Sequence, residues 1–185
     1  MNTTLVNWML VLFVSFSWGA SFMFTRLAVD EIAPTYLVVT RLFLASILLG
    51  PIFIRKKDLI LMSKEIPSIL ILGIINAALP FFLFAYAAQD LSAGMLSILN
   101  GTSPLFALII AITWFRQNTT LIQILGLGLG FLGLMVFIGT DQISFIFYPV
   151  LLCLIGAFCY AYSNNILFRL NHIKSAALAS VTMIS

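Results

Sequence analysis

Six long stretches of this chain carry almost no charge, and they limit what it can fold into. They run roughly 5–25, 34–54, 66–89, 92–115, 120–139 and 146–168, and only the second holds a charged side chain, Arg41. A helix needs about 20 apolar residues to cross the hydrocarbon core of a bilayer. The runs are continuous rather than alternating, so helices are expected and a barrel is not. With 62% hydrophobic and 8% charged residues, the chain has too little charge to cover a soluble surface. The expected fold class is an all-α membrane protein, a polytopic transmembrane helix bundle. Its connections are short, so successive helices should be antiparallel neighbours.

The basic residues orient the bundle. If the N-terminus is cytoplasmic, the inner connections hold Arg55, Lys56, Lys57, Lys64, Arg116, Arg169 and Lys174, and the outer ones hold only Arg26. Asp30, Glu31, Asp90 and Asp141 then fall near the outer face. The cluster "RKKD" reads as a topology signal beside a span, not as a nucleic-acid patch. The first run lacks a basic leader and continues to Thr25, which fits an uncleaved span better than a signal peptide. Cys153 and Cys159 lie six apart in one run, point in well-separated directions on a helix, and read as small buried hydrophobes.

A weak internal likeness is also present. "FSWGAS" from Phe16 pairs with "FCYAYS" from Phe158, an offset of 142 residues and five spans. An odd number of spans reverses direction, which is the layout of an inverted-topology repeat. That layout predicts a complete protein of roughly 290 residues. The final apolar run, Ser175 to Ser185, has 11 residues, too few to cross. The expectation is a chain cut part-way into a seventh helix; the alternative is a short end lying on the bundle.

Polar residues inside the spans mark the candidate site. The fourth span contains "NGTSP". Pro104 lacks an N–H and crowds the carbonyl of Asn100, so Asn100 is expected to offer a free backbone acceptor beside its amide. At about 100° per residue, Ser97, Asn100, Ser103 and Pro104 share one face. The third span repeats the spacing with Asn76 and Pro80. Irregular backbone at that depth is tolerated only against protein or a water-filled cavity. Two kinked helices bonding each other explain each site alone; a shared polar cavity explains the pair better.

In the first span Asn7, Trp18, Ser21 and Thr25 form a stripe, and in the sixth Cys159, Tyr162, Asn165 and Arg169 form another. Aromatic and small polar groups on one face suit a cavity that stacks and hydrogen-bonds a small organic solute, although hydroxyls bonded to backbone carbonyls would also explain them. Tyr86, toward the outer end of the third span, fits either a site or an interfacial anchor. Arg41 costs ~3 kcal/mol at mid-membrane on insertion scales. It either snorkels outward to Asp30, Glu31 or Asp90, or recognises an anionic or zwitterionic solute. Gly126, Gly130 and Gly133 in "GLGLGFLG" read as helix packing positions.

The stretches "SWGASFMFTRLAVDEIAPTYLVVTRLFLASILLG", "LSAGMLSILNGTSPLFALIIA" and "LIQILGLGLGFLGLMVFIG" resemble the drug/metabolite transporter superfamily, in particular its EamA-type domain. The resemblance covers residues 5–140 and, more loosely, the start of a second domain. It implies two inverted five-helix repeats in a ten-helix transporter. On this implication residues 1–140 are a first repeat and 141–185 begin a second. Trp18, Gly19, Arg41 and Pro104 match recurring family positions. Family members often carry a Gly-Glu pair after the fourth span, where this chain has Arg116 and Gln117 in "WFRQNTTL".

The expected function is transmembrane transport of a small organic metabolite, amino-acid-like or drug-like, by an exporter or facilitator. No acidic residue lies in the middle of any of the six runs, so coupling to protons through a carboxylate is not expected from them. An intramembrane enzyme would want a nucleophile with a base or paired carboxylates, and His172, the only histidine, falls in a connection. No catalytic residues, metal ligands or cofactor are assigned. A non-transporting membrane assembly partner is the main alternative. The expected partners are the lipid bilayer and a small solute, without nucleic acid; a homo-oligomer is compatible. The resemblance implies a prokaryotic plasma membrane. The candidate substrate-binding residues are Trp18, Ser21, Arg41, Asn76, Tyr86, Ser97, Asn100, Ser103 and Tyr162, with kinks at Pro80 and Pro104.

Overall fold

A computed structural model describes residues 3–53, 62–63, 65–114, 116, 119–138 and 143–169. Its regular elements are helical. In chain order they are α1 (Thr3–Ala28), α2 (Pro34–Phe53), α3 (Ile66–Gly73), a π-helical turn (Ile74–Ala78), α4 (Leu79–Ala87), α5 (Ala93–Asn100), α6 (Ser103–Thr113), α7 (Leu121–Ile138) and α8 (Ile143–Arg169). Each of the six apolar runs is helical over most of its described residues. Among the described residues, Thr4–Ala28, Ile66–Ala87, Ala93–Thr113 and Phe147–Asn164 are long and apolar enough to cross a membrane, while Pro34–Leu48 and Leu121–Gly133 are shorter apolar segments.

The sixth run supplies the helix against which the third and fourth spans pack. α8 packs against α4, α5, α6 and the π turn. Sequence explains why it can sit there. It is lined by small residues, and Cys153, Gly156, Ala157 and Ala161 are buried. Gly156 permits the closest approach: a Cβ there would lie 2.9 Å from Phe84 Cε2 and 3.7 Å from Pro80 Cα. Small residues at such a crossing let backbones approach in a membrane, where packing replaces the hydrophobic drive. The core then fills with Phe22, Val38, Phe84, Leu91, Leu96, Leu99 and Val150. Both cysteines are buried and free. α1, by contrast, buries only Phe22 among its described side chains and turns Trp8, Phe13 and Phe16 outward.

The two Asn-to-Pro segments distort their helices in different ways. In the third span the backbone widens into the π turn, and the Leu79 N–H donates to the Ile74 carbonyl, five residues back. Pro80 follows directly, where its ring is spared the crowding of a regular turn. In the fourth span the helix breaks at Gly101 and Thr102, between α5 and α6. Here the Thr102 hydroxyl donates to the Leu99 carbonyl at 2.6 Å, and the Ser103 hydroxyl donates to the Asn100 carbonyl at 2.7 Å. The Asn100 backbone acceptor is therefore not free, contrary to the expectation from sequence. Ser103 takes over the role that the missing proline N–H vacates.

The fifth-span glycines also differ from expectation. A Cβ on Gly130 would meet Leu105 Cδ2 at 2.8 Å, but Gly126, Gly128 and Gly133 have nothing within 4 Å. Only Gly130 of these four lies at a tight contact among the described residues. After α6 the chain passes through Arg116 with φ 49°, a left-handed conformation that disfavours a Cβ.

Candidate functional site

The site grows out of these distortions. The π turn holds Asn76, and the helix break holds Asn100, Gly101 and Ser103. With Trp18 of α1, Arg41 of α2, Phe81 of α4, and Tyr160 and Asn164 of α8, they line one cavity of about 600 Å³. A smaller cavity of about 210 Å³, reaching Ser21 and Thr25, shares the wall made by Trp18, Arg41, Phe81 and Tyr160. A volume of this size suits a small organic molecule.

Arg41 stands where the two cavities meet. Its Nη2 donates to Ser21 Oγ at 2.8 Å, and its guanidinium carbon lies 4.5 Å from the centre of the Phe81 ring. It does not reach outward to an acidic residue. Asp30 is instead paired with Arg26, four residues back, and lies in the turn just past the end of α1. Among the described residues Arg41 has no carboxylate partner. A cation over an aromatic face gains about 0.5–2 kcal/mol, depending on desolvation. That offsets part of the cost of an intramembrane charge and leaves the charge unneutralised.

The opposite wall is polar without being charged. Asn76 Oδ1 accepts from Ser163 Oγ at 2.7 Å, but the same hydroxyl also lies 2.8 Å from the Tyr160 carbonyl. One proton thus serves two acceptors. Asn100 Oδ1 is buried and has no hydrogen-bond partner. Asn100 does not bond Asn76. An aromatic row backs the wall: Trp18 meets Tyr160 edge to face at 6.3 Å, Tyr160 stacks near Phe84 at 6.3 Å, and Phe84 meets Phe22 at 5.4 Å.

Six of the residues proposed from sequence are brought together here: Trp18, Ser21, Arg41, Asn76, Asn100 and Ser103, with Pro104 beside them. Pro80 is buried under Gly156 rather than lining the space. The other candidates lie elsewhere. Tyr86 shares a 3.1 Å hydrogen bond with Thr35. Ser97 is exposed, with its carbonyl accepting from the Gly101 N–H. Tyr162 packs against Trp114 and Phe158. The sixth span turns Tyr160 and Asn164 to the cavity instead. The side chains of Asn165 and Arg169 lie outside the described residues. Tyr160 had a signal in the sequence, since the repeat alignment places it opposite Trp18. Phe81 had none, because an aromatic beside Pro80 looks like any lipid-facing position. Among the described residues no group of His, Cys, Asp or Glu is arranged to hold a metal ion.

The family model for the EamA-like transporter family matches residues 7–139, most of the chain. The chain belongs to the EamA-like transporter family. Relatives of this EamA-like chain include Protein PagO of Salmonella typhimurium, 28% identical over 64% of this chain and 39% of the relative. The uncharacterized transporter YdfC of Bacillus subtilis is 25% identical over 85% of this chain and 51% of its own length. An S-adenosylmethionine/S-adenosylhomocysteine transporter of Chlamydia muridarum is 26% identical over 73% of this chain and 44% of the relative. The EamA-like chain therefore spans about half or less of these relatives. No solved structure gives a significant match.

Proposed function

We propose that this EamA-like chain forms part of a transporter that moves a small organic solute, amino-acid-like or drug-like, as an exporter or facilitator. The solute passes through the cavity between Arg41 and the two asparagines. Residues 1–140 act as the first repeat and 141–185 open the second, with the N-terminus on the cytoplasmic side of a prokaryotic plasma membrane. One observation carries this reading: Arg41 faces a cavity of about 600 Å³ with no carboxylate partner among the described residues. A purely structural arginine at that depth would be paired. The transporter names among the relatives support the class of activity.

The test is flux through the full-length gene product reconstituted in proteoliposomes, screened over amino acids and cationic dyes. Saturable movement of at least one solute is expected. Folded protein that moves none of them would overturn the reading and favour a non-transporting assembly partner.

A further inference from the structure

Arg41 borders a third space. A groove of about 760 Å³ runs between α1 and α2, and Phe16, Phe24, Tyr36, Thr40, Ser21 and Arg41 are in its wall. The Arg41 side chain is exposed and has room on either side. Fixing such a long side chain costs rotamer freedom, so its contacts decide where the charge rests. Those contacts pull from different sides. Ser21 lines the groove and the smaller cavity but not the 600 Å³ cavity. Phe81 lines the smaller cavity and the 600 Å³ cavity but not the groove. The guanidinium donates to Ser21 Oγ at 2.8 Å and lies 4.5 Å from the centre of the Phe81 ring.

Ser21 alone holds the charge on the groove side. On the cavity side no carboxylate pairs with Arg41 among the described residues. Trp18, Phe81 and Tyr160 all bring rings to the 600 Å³ cavity, and the guanidinium lies over that of Phe81. That ring stands on an anchored segment. It follows the π turn directly, and its neighbours Pro80 and Phe84 are buried against Gly156. We propose that Phe81 is a positioning residue, whose ring face keeps the Arg41 guanidinium at the junction of the cavities and out of the groove between α1 and α2. That the positioned charge serves a solute rests on the function proposed above; the placement does not.

Ring fluorination tests this. Phenylalanines carrying one, two and three ring fluorines at position 81 weaken the electrostatic attraction of the face step by step and nearly keep its shape. The full-length protein in nanodiscs is treated with phenylglyoxal, a reagent for guanidinium groups, and modification of Arg41 is followed by mass spectrometry. A weaker face holds the guanidinium less firmly, so the reaction should quicken with each fluorine, by about two- to five-fold over the series. A ring that only fills space gives a flat series. A flat or falling series, or an Arg41 that reacts in no member, overturns the proposal. Flux of the amino acids and cationic dyes is measured alongside. For a solute that the unaltered protein moves, Phe81→Leu should raise KM by about two- to five-fold, and Phe81→Tyr, which keeps an aromatic face, should not. A graded phenylglyoxal series with KM unchanged in Phe81→Leu leaves the placement standing and removes Arg41 from solute recognition.

Discussion

Trp18 and Tyr160, which "FSWGAS" and "FCYAYS" place at matching positions, meet edge to face with ring centroids 6.3 Å apart. Three residues further along each segment stand Ser21 and Ser163. Ser21 accepts from Arg41, and Ser163 donates to Asn76. Trp18 and Tyr160 line both cavities, Ser21 lines the smaller one, and Ser163 is buried behind Asn76.

This pairing predicts an energetic coupling. Edge-to-face pairs contribute about 0.5–1.5 kcal/mol beyond their buried area. Trp18 is 48% exposed, so its coupling should fall near the lower end. A double-mutant cycle with Trp18→Leu and Tyr160→Leu, read by unfolding in detergent, should give about 0.5 kcal/mol. Additive effects would show that the rings are merely adjacent.

Ser163 predicts a cost of a different kind. Its hydroxyl is the donor that Asn76 Oδ1 has, and Ser163 itself is fully buried. Ser163→Ala leaves that oxygen unpaired and should destabilise the protein by about 1 kcal/mol, within the range of interhelical bonds in membranes. In an Asn76→Leu background the same change should cost almost nothing. An equal cost in both backgrounds would assign the loss to packing.

On the proposed function, Arg41 separates stability from transport. A charge kept at depth for a solute is a liability in the empty protein. Arg41→Met, of similar length and apolar, should leave the thermal midpoint unchanged or raise it. Flux should fall at least ten-fold. A lowered midpoint would mean that the bond to Ser21 and the contact with Phe81 hold the helices together.

The apolar runs fixed the helices in advance because they admit no other backbone in a bilayer. The two Asn-to-Pro segments and Arg41 were legible for the same reason: polar groups at depth are expensive enough to notice. What the sequence could not show was which neighbours they would meet. Ser103 closes the Asn100 carbonyl and Ser163 reaches Asn76 across 87 positions, and no local pattern encodes the second of these. Tyr162 and Tyr160 both carry polar tips on one helix, and the packing of α8 against the third and fourth spans, with Gly156 under Phe84, faces Tyr160 inward. The fifth-span glycines misled because spacing alone does not reveal which of them touches a partner.

Gly156 should accordingly tolerate little. Phe84 is 4% exposed, so its ring has no room to retreat from a Cβ at 2.9 Å. Gly156→Val should cost about 1–3 kcal/mol through overpacking. Gly133→Ala, with open space around it, should be neutral or stabilise slightly through helix propensity. Both are checked by unfolding in detergent, and similar costs at the two sites would contradict the crossing geometry.

Arg116 occupies the place where the resemblance expects a glycine, and its φ of 49° explains that expectation. A left-handed residue with a Cβ is strained by roughly 1–2 kcal/mol. Glycine relieves the strain but loses more conformational entropy on folding, by up to about 1 kcal/mol. The balance predicts that Arg116→Gly raises stability by about 0.5 kcal/mol. Arg116→Ala keeps the Cβ and removes only the charge, so it should give no such gain. The pair of variants, compared by thermal unfolding in one detergent, separates backbone strain from electrostatics. A gain for alanine equal to that for glycine would place the effect in the charge and would dissociate it from the turn.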